Sequence, residues 1–316
     1  KGVSDYWGMS WAPEGYKLLF TLTSGTMPEN LWLLDLDAQS VQRVTTSAME
    51  GIDPDELVDA ELCHYTSFDG LTVPYWYYKA PGKQEGPRPV LIDIHGGPEG
   101  QERPMFAALT EYLVSQGMNI IAPNVRGSVG YGKTYTHLDD VEKRLDSVHD
   151  IDALVKHLGE TGIADKDRIA VMGGSYGGYM TNWIIGNTTR FAAAVSQRSF
   201  CNPISDFGNS CIGYTFDAKE FAATPWNGLD RMWDHAPLKY APYVKTPTLF
   251  IHSLEDYNCP LSQGFEMFAA LKYHGVTSEM VLFKGENHEL SRSGKPLHRQ
   301  RRLKEILRWF ETYLKK

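Results

Sequence analysis

The chain has 316 residues, 42% of them apolar and 22% charged, which suits one large globular domain or two smaller ones. With 39 acidic against 31 basic residues the net charge is −8, an acidic balance that argues against a nucleic-acid partner. No run of about 18 apolar residues is present to span a membrane.

The four cysteines, Cys63, Cys201, Cys211 and Cys259, form no C-x-x-C pair and fit no zinc spacing. They are expected as reduced thiols in a cytoplasmic protein, a Cys201–Cys211 bridge being the alternative in an oxidising compartment. The start, Lys1-Gly2-Val3-Ser4, shows no initiator Met and no signal-peptide core.

Residues 1–56 read as a short antiparallel β segment. Strands are predicted at Lys17–Thr23, Leu31–Asp37 and Val41–Thr45, with turns at Pro13-Glu14-Gly15, Ser24-Gly25 and Met27-Pro28. Such a group amounts to one blade of a β-propeller, and one blade cannot bury both its faces. No second copy of the pattern follows. The segment therefore either ends a propeller that begins earlier in a longer chain or packs on the next domain.

Residues 57–316 have a different rhythm. Glu61–Thr66 and Leu71–Lys79 flank Ser67-Phe68-Asp69-Gly70, a hairpin signal, and Pro81–Pro89 is a polar loop. Strands at Val90–Ile94, Asn119–Ala122, Arg168–Met172, Ala192–Ser196, Thr248–His252 and Met280–Phe283 then alternate with helices near 104–116, 147–161, 177–188, 261–274 and 296–315. Short apolar strands separated by amphipathic helices predict a doubly wound, mostly parallel sheet covered on both faces. A hairpin feeding such a sheet is the outline of the α/β-hydrolase fold. Residues 200–243 interrupt the alternation with aromatics, Asn and Pro, as an insertion that caps a site would. Near the C-terminus Arg299, Arg301, Arg302 and Lys304 read as a solvated helix face.

The strongest chemical signal is Gly173-Gly174-Ser175-Tyr176-Gly177-Gly178, between a predicted strand and a predicted helix. A sharp strand-to-helix turn would hold Ser175 exposed as a nucleophile, with the Tyr176 N–H beside it to receive an oxyanion. No Gly-Lys-Ser/Thr ending is present, which excludes a P-loop. Serine needs a base and an orienting acid, which in this fold follow it in the order acid, then His. Asp256 lies in the loop after Thr248–His252, and His288 in the loop after Met280–Phe283. Glu255 is the rival acid; His252 is the rival base, although it precedes the acid and fits a structural role. His95-Gly96-Gly97-Pro98 ends another strand, and Gly97 is expected to supply the second oxyanion N–H. No metal or cofactor is implied.

Taken together these stretches, with Asn124–Gly132, Ser196-Gln197-Arg198, His252–Pro260 and Glu286-Asn287-His288, resemble the prolyl oligopeptidase family of serine peptidases, in its acylaminoacyl-peptidase-like branch. The resemblance runs from about residue 57 to the end. Residues Trp11–Thr45 resemble the last propeller blade of those enzymes. It implies hydrolysis of short peptides, commonly N-acylated, with Ser175, Asp256 and His288 as triad and Gly97 and Tyr176 as oxyanion donors. It sets Arg126 and Arg198 near the site, where each reads either as a substrate contact or as a buried arginine holding loops together. It also implies an N-terminal propeller in a longer chain and admits a homo-oligomer. A carboxylesterase or deacylase with the same triad is the alternative, and a non-catalytic binding module on the same fold is a third reading. Phe200, Tyr214, Phe216, Trp226 and Trp233 of the insertion are the expected source of an apolar substrate pocket.

Overall fold

A computed structural model describes residues 2–5, 8–82 and 86–315. The polar loop expected at 81–89 therefore lies partly outside the described residues. The chain forms two compact units. One holds Lys1–Leu62, Trp76–Lys83 and Arg103–Ile120, and the other holds Cys63–Tyr75, Gln84–Glu102 and Ile121–Lys316.

In the first unit β1 (Ser10–Trp11), β2 (Lys17–Ser24), β3 (Met27–Asp35) and β4 (Ser40–Arg43) make an antiparallel sheet in sequence order. The β2–β3 turn falls at Gly25-Thr26, overlapping the expected Ser24-Gly25 turn, whereas Met27 and Pro28, also expected as a turn, open β3. Pro28 is tolerated inside β3 because the register shifts opposite it, between Leu22 and Ser24, where the ladder is already interrupted. Buried Asn30 secures the far end of the sheet, its Oδ1 accepting from the Ser47 N–H at 2.7 Å.

The remaining strands are β5 (Glu61–Thr66), β6 (Thr72–Tyr78), β7 (Arg88–Ile94), β8 (Asn119–Pro123), β9 (Ala164–Gly174), β10 (Ala193–Gln197), β11 (Thr248–Ser253) and β12 (Ser278–Phe283). They form one sheet in the order β12-β11-β10-β9-β7-β8-β6-β5. β7, β9, β10, β11 and β12 run parallel. The helices are α1 (Ala108–Ser115), α2 (Lys133–Thr136), α3 (Asp146–Glu160), α4 (Tyr176–Asn187), α5 (Pro203–Asn209), α6 (Gly213–Glu220), α7 (Leu229–Asp234), α8 (Pro237–Tyr240), α9 (Leu261–Tyr273), α10 (Leu290–Ser293) and α11 (Pro296–Leu314).

Central strands buried on both faces need apolar side chains at successive positions, and Leu91, Ile92, Ala170, Val171, Ala194 and Val195 are all fully buried. α3, α4 and α11 pack against β9. α3 does so through Val148, Ile151, Leu154, Val155 and Leu158, the three-and-four spacing of an amphipathic helix. The mostly parallel sheet with flanking helices is the α/β-hydrolase arrangement. In such a sheet the crevice at the carboxyl ends of the strands, where the order reverses, is the place for a ligand. That reversal falls between β7 and β9.

Among the described residues no helix is long and apolar enough to cross a membrane, and Cys201, Cys211 and Cys259 form no disulfide. Arg302 departs from the solvated face expected for its neighbours: its Nε donates to Gln197 Oε1 at 2.7 Å.

Candidate active site

Ser175 sits between the last residue of β9 and the first of α4, with φ 60° and ψ −125°. A non-glycine residue in this region carries backbone strain, which persists only where the surroundings enforce it. Here the enforcement is close packing. A Cβ on Gly177 would lie 2.0 Å from the Ile94 carbonyl oxygen, and one on Gly173 2.3 Å from the Gly177 carbonyl oxygen. Only glycine lets β7, β9 and α4 meet at that spacing. The turn is pinned by the Ser175 N–H donating to Gln197 O and by Ser175 O accepting from the Tyr179 N–H, both at 3.0 Å.

Three side chains from separate loops meet there. His288 Nε2 lies 3.1 Å from Ser175 Oγ, and His288 Nδ1 lies 2.8 and 3.0 Å from the two Asp256 oxygens. Asp256 is buried and its Oδ1 also accepts from the N–H groups of Asn258 and Cys259, each at 3.0 Å, so the carboxyl group is held in one orientation. Carboxyl oxygens at Nδ1 select the tautomer that carries its proton there and leave Nε2 able to accept a proton.

Glu255 and His252, the rival acid and base of the sequence, have other partners. Glu255 Oε2 accepts from the Glu286 N–H at 3.0 Å, and the Glu255 N–H donates to Glu286 O at 3.1 Å, joining the two loops that carry Asp256 and His288. His252 is buried, with Nε2 2.7 Å from Cys259 O, and burial holds its pKa below the usual imidazole range. It braces, in its neutral form, the loop that carries Asp256.

The loop His95-Gly96-Gly97-Pro98 leaves β7 directly beside Ser175: a Cβ on Gly96 would be 3.4 Å from Ser175 Cβ. Gly97 has φ 148° and precedes a cis proline bond. His95 stabilises the loop rather than facing Ser175, through Nδ1 to Gly96 O at 2.8 Å and Nε2 to Ser128 Oγ at 2.9 Å, and its burial keeps it neutral. Among the described residues the N–H groups of Gly97 and Tyr176 have no hydrogen-bond acceptor. Tyr176 is the first residue of α4, where an unpaired N–H and the positive end of the helix dipole coincide.

Residues 104–316 match the sequence profile of the prolyl oligopeptidase family, a family of serine peptidases. The chain belongs to that family. Peptidase YuxL of Bacillus subtilis is 34% identical over 310 residues, which are 96% of this chain and 47% of that protein. The acylamino-acid-releasing enzyme of Arabidopsis thaliana is 33% identical over 235 residues, 72% of this chain and 30% of its own. Among solved structures, the acylaminoacyl peptidase of Pyrococcus horikoshii superposes with a TM-score of 0.90 at 30% identity, over 100% of this chain and 50% of its own. The chain thus spans half or less of the length of these family members.

The two arginines singled out from the family pattern have separate settings. Arg198, at φ 38°, donates from its guanidinium to His288 O at 2.9 Å and so reaches the backbone of His288. Arg126 is 3% exposed and all three guanidinium nitrogens are engaged. Nε and one terminal nitrogen bind Asp150, at 3.0 and 2.8 Å, and the terminal nitrogens bind Asp69, both at 3.0 Å. Its face lies 4.7 Å from the Phe68 ring centroid. The Ser67-Phe68-Asp69-Gly70 motif is therefore the socket for a bidentate arginine clamp.

A second clamp escaped the sequence reading. Arg144 pairs with Asp139 at 2.7 Å and with Glu220, and lies 3.4 Å from the Tyr176 hydroxyl, linking α6 to the residue after Ser175. In sequence it is one charge among several in 139–146 and carries no distinguishing signal. Of the insertion aromatics, Phe200 is buried and stacks on Tyr179 with centroids 4.6 Å apart, whereas Trp226 and Tyr214 are 83% and 65% exposed.

Proposed function

We propose that this chain is the catalytic portion of a serine peptidase that cleaves short peptides, N-acylated or otherwise small, through an acyl-enzyme. The observation that carries the reading is the hydrogen-bonded series Ser175 Oγ, His288 Nε2, His288 Nδ1, Asp256. Ser175 Oγ attacks the amide carbonyl while its proton passes to His288 Nε2. Asp256 stabilises the imidazolium that results and keeps the ring oriented. The oxyanion is received by the N–H groups of Gly97 and Tyr176, each worth about 3–4 kcal/mol in the transition state. Imidazolium returns its proton to the leaving amine. Water, deprotonated by His288, then attacks the ester and releases Ser175. The scheme needs no metal or organic cofactor.

The relatives' names support the acylated-substrate reading, since acylamino-acid-releasing enzymes and an acylaminoacyl peptidase are among them. The antiparallel strands of 1–56 and the partial coverage of the relatives support a further proposal, that 57–316 is the catalytic domain and the preceding strands end a propeller in a longer chain. The test is hydrolysis of N-acylated aminoacyl anilides, unblocked aminoacyl anilides and p-nitrophenyl esters, each with a Ser175→Ala control. Acylated anilides should be cleaved and Ser175→Ala should abolish turnover. Activity that survives the substitution removes Ser175 as nucleophile, and cleavage of esters alone moves the assignment to an esterase.

A further inference from the structure

The two N–H groups assigned to the oxyanion belong to different elements: Gly97 lies in the loop after β7, and Tyr176 opens α4. Donors about 1 Å out of place lose much of their effect in the transition state, so their spacing needs enforcement. Backbone contact supplies part of it, since a Cβ on Gly96 would lie 3.1 Å from Gly174 O.

A series of charges runs from one donor to the other through α6. Glu99 Oε1 pairs with Lys219 Nζ at 2.8 Å, and the same Nζ lies 3.4 Å from Glu220 Oε1. The other Glu220 oxygen pairs with Arg144 Nη2. Arg144 Nη1 then reaches Asp139 at 2.7 Å and the Tyr176 hydroxyl at 3.4 Å, and the guanidinium carbon lies 5.6 Å from the Tyr176 ring centroid. Glu220 thus lends one oxygen to each cation. At the near end Glu99 is stiffly joined to Gly97: the Gly100 N–H donates to Pro98 O at 2.7 Å, and a Cβ on Gly97 would lie 2.7 Å from the Glu99 nitrogen. A shift of Glu99 is therefore a shift of Gly97. At the far end Asp139 packs on backbone, because a Cβ on Gly127 would lie 2.4 Å from its Oδ1. The start of α6 is fixed as well, to the loop that carries Asp256. There the Cys211 N–H donates to Tyr257 O at 2.8 Å and Ser210 Oγ donates to Asn258 O at 2.6 Å.

Asp139, Arg144 and Glu220 are each 2–3% exposed. Apolar side chains in the same place would stabilise the fold at least as well, so stability does not explain a buried ionic series. What the series supplies is direction. Arg144 joins partners from three segments through its two terminal nitrogens, at angles that a rigid planar fork fixes and an apolar contact does not.

We propose that Glu99, Lys219, Glu220 and Arg144 are positioning residues that set the distance between the Gly97 and Tyr176 N–H groups, with α6 as the bar between the two elements. This rests on the reading of Ser175 as nucleophile and adds to it residues that touch no substrate. Lys219 and Glu99 form the exposed link, with side chains 70% and 41% accessible. Salt screens such a pair far more than a buried one, so the spacing of the donors is sensitive to ionic strength at that point.

The test measures kcat and KM on an N-acylated aminoacyl anilide, together with the rate of Ser175 phosphonylation by a fluorophosphonate, whose P=O oxygen takes the place of the oxyanion. Lys219→Ala and Glu99→Gln should each lower kcat and the phosphonylation rate about threefold to fivefold, the ceiling for one exposed ion pair, and leave KM within about twofold. The double variant should be no slower than either single one, because both cut the same link. Lys219→Arg should keep the parent rate. At about 1 M NaCl the parent should slow by the same factor while Lys219→Ala does not change. Arg144→Lys, whose one ammonium cannot serve Glu220, Asp139 and Tyr176 together, should lose at least about tenfold in kcat. Urea unfolding checks that this variant is folded, and the exposed pair decides the matter if it is not. An active parent whose rates none of these substitutions changes, single effects that multiply in the double variant, or losses confined to KM overturn the bar and leave the nucleophile reading untouched. A parent that reacts with the fluorophosphonate through Ser175 but cleaves no anilide sinks the peptidase reading alone, and the phosphonylation rates still decide the bar. A parent in which Ser175 does not react overturns both.

Discussion

Replacing Gly177 by alanine tests whether backbone contact at the elbow fixes both fold and rate. The new Cβ would start 2.0 Å from Ile94 O, 2.8 Å from His95 O and 2.9 Å from Ile94 C, all backbone atoms of β7 or the loop that follows it. No rotamer change relieves a clash with main chain. Helix α4 must retreat from β7 by more than about 1 Å, and overpacking of that kind costs typically 1–3 kcal/mol. Alanine returns at most about 1 kcal/mol of helix propensity, so the expected net loss is about 1–2 kcal/mol. The same retreat carries Ser175 Oγ away from His288 Nε2 and from the Gly97 N–H, and a displacement of about 1 Å is worth up to 100-fold in rate. Gly159 in α3 is the matched control, because a Cβ there meets nothing within 4 Å. Gly159→Ala should gain about 0.5–1 kcal/mol and keep its rate. Urea unfolding followed by circular dichroism, with kcat/KM on the same samples, decides the matter. If Gly177→Ala proved as stable and as active as Gly159→Ala, the close approach would not be what requires glycine.

Three other expectations follow from the described contacts. Asp256→Asn should lower kcat about 10⁴-fold while leaving the fold intact, because the neutral amide no longer holds the proton on His288 Nδ1; a loss below tenfold would contradict the tautomer argument. Arg126→Met strands the fully buried Asp150 carboxylate and should destabilise by about 3–5 kcal/mol, with partial recovery in Arg126→Met/Asp150→Asn; a loss under about 1 kcal/mol in denaturant melts would show the clamp to be idle. Asp217, raised to about 9 by burial and by Asp206 and Glu220, binds more protons folded than unfolded from about pH 4 upward, so its contribution to stability is full below that range and is lost as pH rises through 9. Asp217→Asn removes this loss, and its stability relative to the parent should rise by up to about 1.4 kcal/mol per pH unit across that window; a pH-independent difference would refute the burial argument.

What the sequence revealed and what it hid divide along physical lines. The elbow was legible because its requirement is local: Gly173 and Gly177 are two residues either side of Ser175, and strand and helix patterns abut them. Asp256 and His288 were legible because each loop follows an apolar strand whose place in a parallel sheet is fixed by alternation. Pro28 misled because a proline is read as a turn, while a bulge in the partner strand admits it inside β3. Arg302 misled because its neighbours Arg299 and Arg301 are exposed, and only packing against β10 distinguishes it. Asp206 and Asp217 were invisible. A charged residue is ordinary on a helix surface, and in a stretch dense with aromatics nothing local marks the buried face of α6. The aromatic content drew attention to the insertion, but to its apolar side chains rather than to the carboxyls among them.

The junction of α5 and α6 also has a practical use. Cys211 is exposed there, with Sγ 3.1 Å from Asn258 Oδ1, whereas burial raises the Cys201 and Cys259 thiols well above the ordinary range and so suppresses their reaction with alkylating reagents. With the half-buried Cys63 changed to serine, a thiol-directed fluorophore would attach at that one spot. The dye would then report, in real time and with no added cysteine, whether that junction, whose Cys211 N–H donates to Tyr257 O at 2.8 Å, stays seated on the loop that carries Asp256 when a substrate enters.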